Sequence, residues 1–133
     1  MKSFCIWAMA LMVWVATGNC RKPASLITDP DTPLSGKWNY TAHYYSIGSP
    51  GQWHPVVIPG QWIELRGDGG FSSNVKPFSS AGSYRVIDSI HLTLIIQAGS
   101  DSLLYRYSLR ADTLELSPYA PMCIEGCADR FLK

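Results

Sequence analysis

Residues 82–117 read GSYRVIDSIHLTLIIQAGSDSLLYRYSLRADTLELS, and this stretch decides the fold. Gly82 to Ile87 is a short β-rich run that meets Ile90 to Gln97 across Asp88-Ser89. Ser102 to Leu109 alternates, placing Leu103, Tyr105, Tyr107 and Leu109 on one face. It turns at Ala111-Asp112 into Thr113 to Ser117. Period-two alternation between tight turns is the signature of antiparallel strands, not of helices.

The same pattern extends in both directions. Trp38, Tyr40, Ala42 and Tyr44 alternate with Lys37, Asn39, Thr41 and His43, so one face of this strand is expected to carry all four of the former. Gln61 to Arg66 meets Gly70 to Val75 across Gly67-Asp68-Gly69, a strong hairpin signal. Ala128 to Leu132 reads as a closing strand. The count is about eight short strands with no helix, which favours an all-β antiparallel up-and-down barrel or a sandwich. A barrel pairs its own edges, which an exported β protein needs. Eight strands enclose an interior just wide enough for side chains or one small ligand.

The N-terminus sets the compartment. Met1-Lys2 precedes an unbroken apolar run, Phe4 to Ala16, then Thr17-Gly18-Asn19 and Cys20. This is the layout of an export signal over 1–19, too short for a stable membrane span. Two cleavages compete: before Cys20, with acylation of its thiol, or after Gly18 by ordinary signal peptidase. Cysteine parity favours lipidation. Of four cysteines, Cys5 leaves with the signal, and an acylated Cys20 leaves Cys123 and Cys127 as an even pair. Residues 20–35 then read as a lipidated cysteine and a proline-rich tether, and 36–133 as the barrel domain. The expected setting is the cell envelope, with the domain lipid-anchored and facing periplasm or cell surface.

Charge excludes some partners. Eleven Lys plus Arg stand against ten Asp plus Glu, with no basic run, so nucleic acid is not an expected partner. The chain is expected to be a monomer without cofactor or metal. Asp29-Pro30-Asp31 is a solvated turn rather than a calcium loop, since no further oxygen ligands follow at loop spacing. Cys123 and Cys127 lack two further ligands for zinc, so a disulfide is the expectation. Its small loop would stabilise by at most about 2 kcal/mol and pin the turn into the last strand.

Gly36-Lys37-Trp38 opens the first strand, and it resembles the Gly-x-Trp signature of lipocalins, whose Trp closes the barrel floor. Three further stretches follow in order: Gly51-Gln52-Trp53-His54-Pro55-Val56, then Gly60-Gln61-Trp62-Ile63-Glu64-Leu65, then Asp68-Gly69-Gly70-Phe71. With Asp112-Thr113-Leu114-Glu115-Leu116, Cys123-Ile124-Glu125-Gly126-Cys127 and Phe131, they resemble small lipocalin-like lipoproteins of Bacteroidetes. The resemblance covers residues 36–132 and implies a lipocalin-like barrel. The chain is shorter than a full lipocalin and has no flanking helix before its last strand, so its cavity is expected to be small.

Chemistry-bearing patterns are sparse. No Gly-x-Ser-x-Gly elbow is present. His43, His54 and His91 are scattered, with His54 in a Pro-rich loop. Glu64 and Glu115 sit mid-strand and are expected to face solvent. Turned inward they would need partners such as Arg66, Arg85 or Arg106. The candidate ligand-binding residues are the aromatics Trp38, Tyr40, Tyr44, Trp53, Trp62, Tyr105 and Tyr107, which also suit core packing. Trp53 is expected to act as a lid within a Gly-Pro-rich loop, 48–60. The leading expectation is a non-catalytic envelope lipoprotein that holds a small hydrophobic or amphipathic molecule in or at the barrel mouth. The alternative is an interaction protein whose loops, around Trp53 to Ile58, meet another envelope component.

Overall fold

The structure is a computed structural model that describes residues 33–46, 48, 50–97, 101–124 and 126–133. The signal (1–19), Cys20, the tether up to residue 32 and the Asp29–Asp31 turn lie outside the described residues.

Nine strands follow in chain order: β1 (Gly36–Tyr45), β2 (Gln52–Pro55), β3 (Trp62–Leu65), β4 (Phe71–Ser73), β5 (Ala81–Val86), β6 (His91–Ile96), β7 (Ser102–Arg110), β8 (Thr113–Ala120) and β9 (Ala128–Leu132). The regular non-strand element is a 3₁₀ turn, Phe78–Ser80. Every pairing is antiparallel, in the order β4-β3-β1-β9-β8-β7-β6-β5. β2 and β3 share one edge of β1 in tandem. Ala42 to Tyr45 pair with β2, and Gly36 to Asn39 pair with β3. The two short strands thus form one interrupted wall strand, and the result is an eight-stranded up-and-down barrel.

Its closing seam lies between β4 and β5. There the backbone contributes a Gly70–Ser83 bridge and the Tyr84 N–H to Gly69 carbonyl bond, 2.8 Å. The Tyr84 hydroxyl adds a bond to the Arg66 carbonyl at 3.0 Å.

Alternation turns one residue in two toward the axis. Ile63 and Leu65, Leu92 and Leu94, and Leu114 and Leu116 are buried in such pairs. With Trp38, Phe71, Phe78 and Phe131 they form one core. One end is shut: Trp38 is fully buried and its indole N–H donates to the Leu34 carbonyl at 2.8 Å. Lys133 lies over the same ring at 4.8 Å and donates to the Pro33 carbonyl. At the other end Phe78 enters the barrel, its ring 5.5 Å from Tyr105 and 5.8 Å from Phe131.

Two expectations change. The loop 48–60 contains a strand: Trp53 and His54 belong to β2, whose four residues were hidden by the preceding Gly51 and its own Pro55. β1 also does not keep one alternation throughout. A bulge between Tyr40 and Ala42 shifts its register against β9. An extra residue reverses the faces beyond it. His43 therefore joins the face of Trp38 and Tyr40, and Tyr44 moves to the outer face.

Trp38→Ala removes the largest buried side chain and the bond that holds Leu34. The expected loss is about 3–5 kcal/mol of unfolding free energy, read as a lowered urea midpoint. A loss below about 1 kcal/mol would show that Trp38 does not close the barrel.

Candidate functional site

The seven candidate aromatics separate into three places. Trp38, Tyr40, Tyr105 and Tyr107 face the interior, where Tyr40 and Tyr107 pack against the buried core. Tyr44 and Trp53 meet on the outer wall with ring centres 5.4 Å apart. Trp62 stands alone on the wall with Lys37 4.5 Å over its ring. They do not converge on one pocket.

The interior carries one polar constellation, at the end opposite Trp38. Asp129 on β9 alternates with Phe131 and so points inward, where the Tyr40 hydroxyl donates to it at 2.5 Å. Burial raises the Asp129 carboxyl above its ordinary value, against the opposing pull of the Tyr40 bond and the charge of His43. Burial and the Asp129 acceptor likewise push the Tyr40 phenol up, so it stays a neutral donor. Tyr105 is raised to about 12, by burial first and then by Asp129. With its proton committed to Asp129, the Tyr40 oxygen can accept from His43 Nδ1, 3.5 Å away. His43 pairs across from His54, and Tyr45 stacks on the His54 ring at 4.2 Å. Tyr40 thus links the Asp129 carboxyl to the His43 ring. Sequence reading missed Asp129; its sign was a carboxylate in phase with Phe131, an inward position once the last strand is aligned.

Beside it the rim opens into an apolar cleft of about 380 Å³. Leu103, Leu104 and Tyr105 of β7, Pro118 and Ala120 of β8, and Met122 line much of it. Pro77, next to the Phe78 turn, closes its far side. A second cleft, of about 450 Å³, lies outside the wall by Tyr44, Trp53, Tyr119 and Arg106. The Cys123–Cys127 disulfide, Cα–Cα 5.8 Å, closes the turn before β9 and borders this cleft.

The acids singled out from sequence face outward. Glu64 lies 4.0 Å from Arg66 and accepts from Ser72, while Glu115 pairs with Arg130 at 2.8 Å. They are on different strands and share no cleft. His91 is held by Asp88 at 2.9 Å, on the wall away from the other two histidines. Among the described residues no three His, Cys, Asp or Glu side chains gather as a metal site. Comparison of the chain with protein-family models, with curated proteins and with solved structures finds no match.

The Asp129 geometry makes stability depend on pH. Its folded-state pKa is raised, so the protonated acid is the form the fold prefers, and stability falls as pH rises through that folded value. Asp129→Asn keeps an acceptor for Tyr40 without the charge. It is expected to be more stable than the parent at pH 7. The advantage should shrink at pH 3, below the ordinary carboxyl value of 3.8, where the parent acid is protonated both folded and unfolded. Urea midpoints at the two pH values measure this; an advantage that grows toward acid contradicts the assignment.

Proposed function

We propose that this protein is a non-catalytic binding module of the cell envelope, taking a small apolar or amphipathic molecule at the open rim of its barrel. The rim cleft of about 380 Å³ carries the reading. It falls within the size range of small-molecule sites and has an apolar lining. Because Trp38, Phe78 and Phe131 occupy the axis, the ligand sits at the mouth and does not enter deeply. Asp129 and the Tyr40 hydroxyl, below the rim, supply the nearby polar groups. The motif order from Gly36-Lys37-Trp38 to Phe131 supports kinship with small lipocalin-like lipoproteins.

The fold also suits a tether. The first described residues, Pro33 and Leu34, lie at the closed end, where Lys133 meets Pro33. In this reading a lipid anchor at Cys20 would reach the barrel through the proline-rich tether, which enters at that end. Protein purified from its own envelope is expected to carry the mass of acyl chains on Cys20. A free Cys20 thiol, or cleavage after Gly18, ends the anchored reading.

One observation favours the interaction reading as a second. Val57 is 93% and Ile58 62% exposed, on a loop that protrudes from the wall between β2 and β3. The loop is pinned at both ends, by Val56 N–H to the Thr41 carbonyl and by Tyr40 N–H to the Gln61 carbonyl, each 2.9 Å. A rigid apolar tip of this kind suits contact with another protein.

N-phenyl-1-naphthylamine, a neutral fluorescent probe, tests the rim. It is expected to bind the parent protein with micromolar affinity. Ala120→Glu sets a carboxylate into the cleft from an exposed position and should weaken binding at least tenfold, with the melting temperature little changed. Absence of binding by the parent, or equal binding by the variant, removes the rim as the ligand site and leaves the Val57–Ile58 tip as the better reading.

A further inference from the structure

A second site lies on the outer wall, and it is built by one cross-strand row. Trp53 of β2 pairs with Tyr44 of β1, and Tyr44 pairs with Ala128 of β9. The β8–β9 register, ending at Leu116 opposite Asp129, sets Ser117 beside Ala128. Ser117 pairs with Arg106 of β7, and Arg106 with His91 of β6. Along this row the side chains run large, large, small, small, large, large. Ala128 and Ser117 form a floor between an aromatic wall and a cationic one. The outer cleft of about 450 Å³ occupies that gap.

Each wall is held in place. A Cβ at Gly51 would overlap the Tyr44 ring, so glycine there lets the ring lie against the backbone. A Cβ at Gly126, in the disulfide-closed turn, would lie 3.6 Å from the same ring, an ordinary contact. Trp53 carries the Arg130 guanidinium 3.8 Å over its face. Opposite, the Tyr119 ring lies 5.0 Å from His91 and 5.7 Å from Arg106.

The two arginines differ. Arg130 is neutralised by Glu115 at 2.8 Å. Arg106 has no carboxylate partner among the described residues, and its neighbours in the row, Ser117 and His91, carry no negative charge. Asp88 is engaged by His91. The trough therefore presents rings at one side and an uncompensated guanidinium at the other. A guanidinium across a small-residue floor from aromatic rings recognises a planar anion through a two-point hydrogen bond. Three strand spacings separate Tyr44 from Arg106, roughly 14 Å between backbones. The two side chains shorten this to the length of a one- or two-ring acid.

We propose that the trough binds a small aromatic anion, with Arg106 taking its carboxylate or sulfonate and the Tyr44–Trp53 pair taking its ring. The site is distinct from the rim cleft, although Pro118, Met122 and Cys123 border both. Calorimetry with 2-naphthoate and its neutral counterpart 2-naphthylmethanol tests it. The parent protein is expected to bind the acid at least tenfold more tightly than the alcohol. R106Q should abolish that preference without weakening the alcohol, and R106K should restore part of it. Ala120→Glu should leave naphthoate binding unchanged, which separates this site from the rim. Equal affinity for acid and alcohol overturns the proposal, as does failure of the parent to bind naphthoate. So does naphthoate binding that survives R106Q or disappears in Ala120→Glu.

Discussion

The barrel depends on β1 hydrogen-bonding to β9. These strands come from opposite ends of the folded chain, and Asn39 lies across from Leu132 and Tyr44 from Ala128. Every other neighbouring pair joins strands adjacent in sequence or nearly so, through short turns. Closing so long a loop costs more chain entropy than closing any one of the hairpins, though the cost grows only with the logarithm of loop length. Phe131 repays part of that cost, because its ring meets Tyr40 at 5.0 Å and Phe78 at 5.8 Å. One closing strand thus ties the first strand to the turn that fills the other side of the barrel. The β4–β5 seam is weaker. It rests on an isolated bridge and the bonds of Tyr84, so local opening would begin there rather than at β1–β9.

The bulge at Tyr40–Ala42 then decides what the wall offers on each side. Without it, Tyr44 would stand on the face of Trp38 and Tyr40. With it, His43 stands across from Asp129 on that face, at the solvent-exposed edge of the mouth, and Tyr44 stands beside Trp53 outside. A single extra residue therefore divides the aromatic supply between a filled interior and an outer trough. The bulge is also where the opposite edge of β1 breaks: β2 ends at Pro55 and β3 starts at Trp62 around it. The protruding Val57–Ile58 loop and the reversed face are two results of the same irregularity.

Much of the fold was legible because it is written in local alternation. The hairpins 61–75, 82–97 and 102–117, and the strand 128–132, lie where period-two patterns and turn residues put them. The disulfide was legible from two cysteines with nowhere else to go. β2 was not, because QWHP is only four residues, follows a Gly and ends in a Pro, and what extends it is the free edge of β1. The site was less legible than the fold. A bulge has no period, so alternation carried through Thr41 assigns the wrong face to everything after it. The Asp129–Tyr40 bond joins residues 89 positions apart, and it exists only once β1 and β9 are in register.

The inward carboxylate and the outward cation are matched consequences of that register. Asp129 and Arg130 are consecutive, so alternation sends one into the barrel and the other onto its wall. Inside, the charge is costly and is met by a phenol that cannot itself ionise in the ordinary range. Outside, Arg130 is met by Glu115 and by the Trp53 face. Trp53 is thus held by a cation already paired with Glu115, while Arg106, four positions along the same row, has no carboxylate partner among the described residues. A surface meant only to be solvated would not need its tryptophan held at one angle. Trp53 and Tyr44 are ordered by their neighbours, and Arg106 across the floor has no carboxylate partner among the described residues, so ring and cation stand apart on one wall.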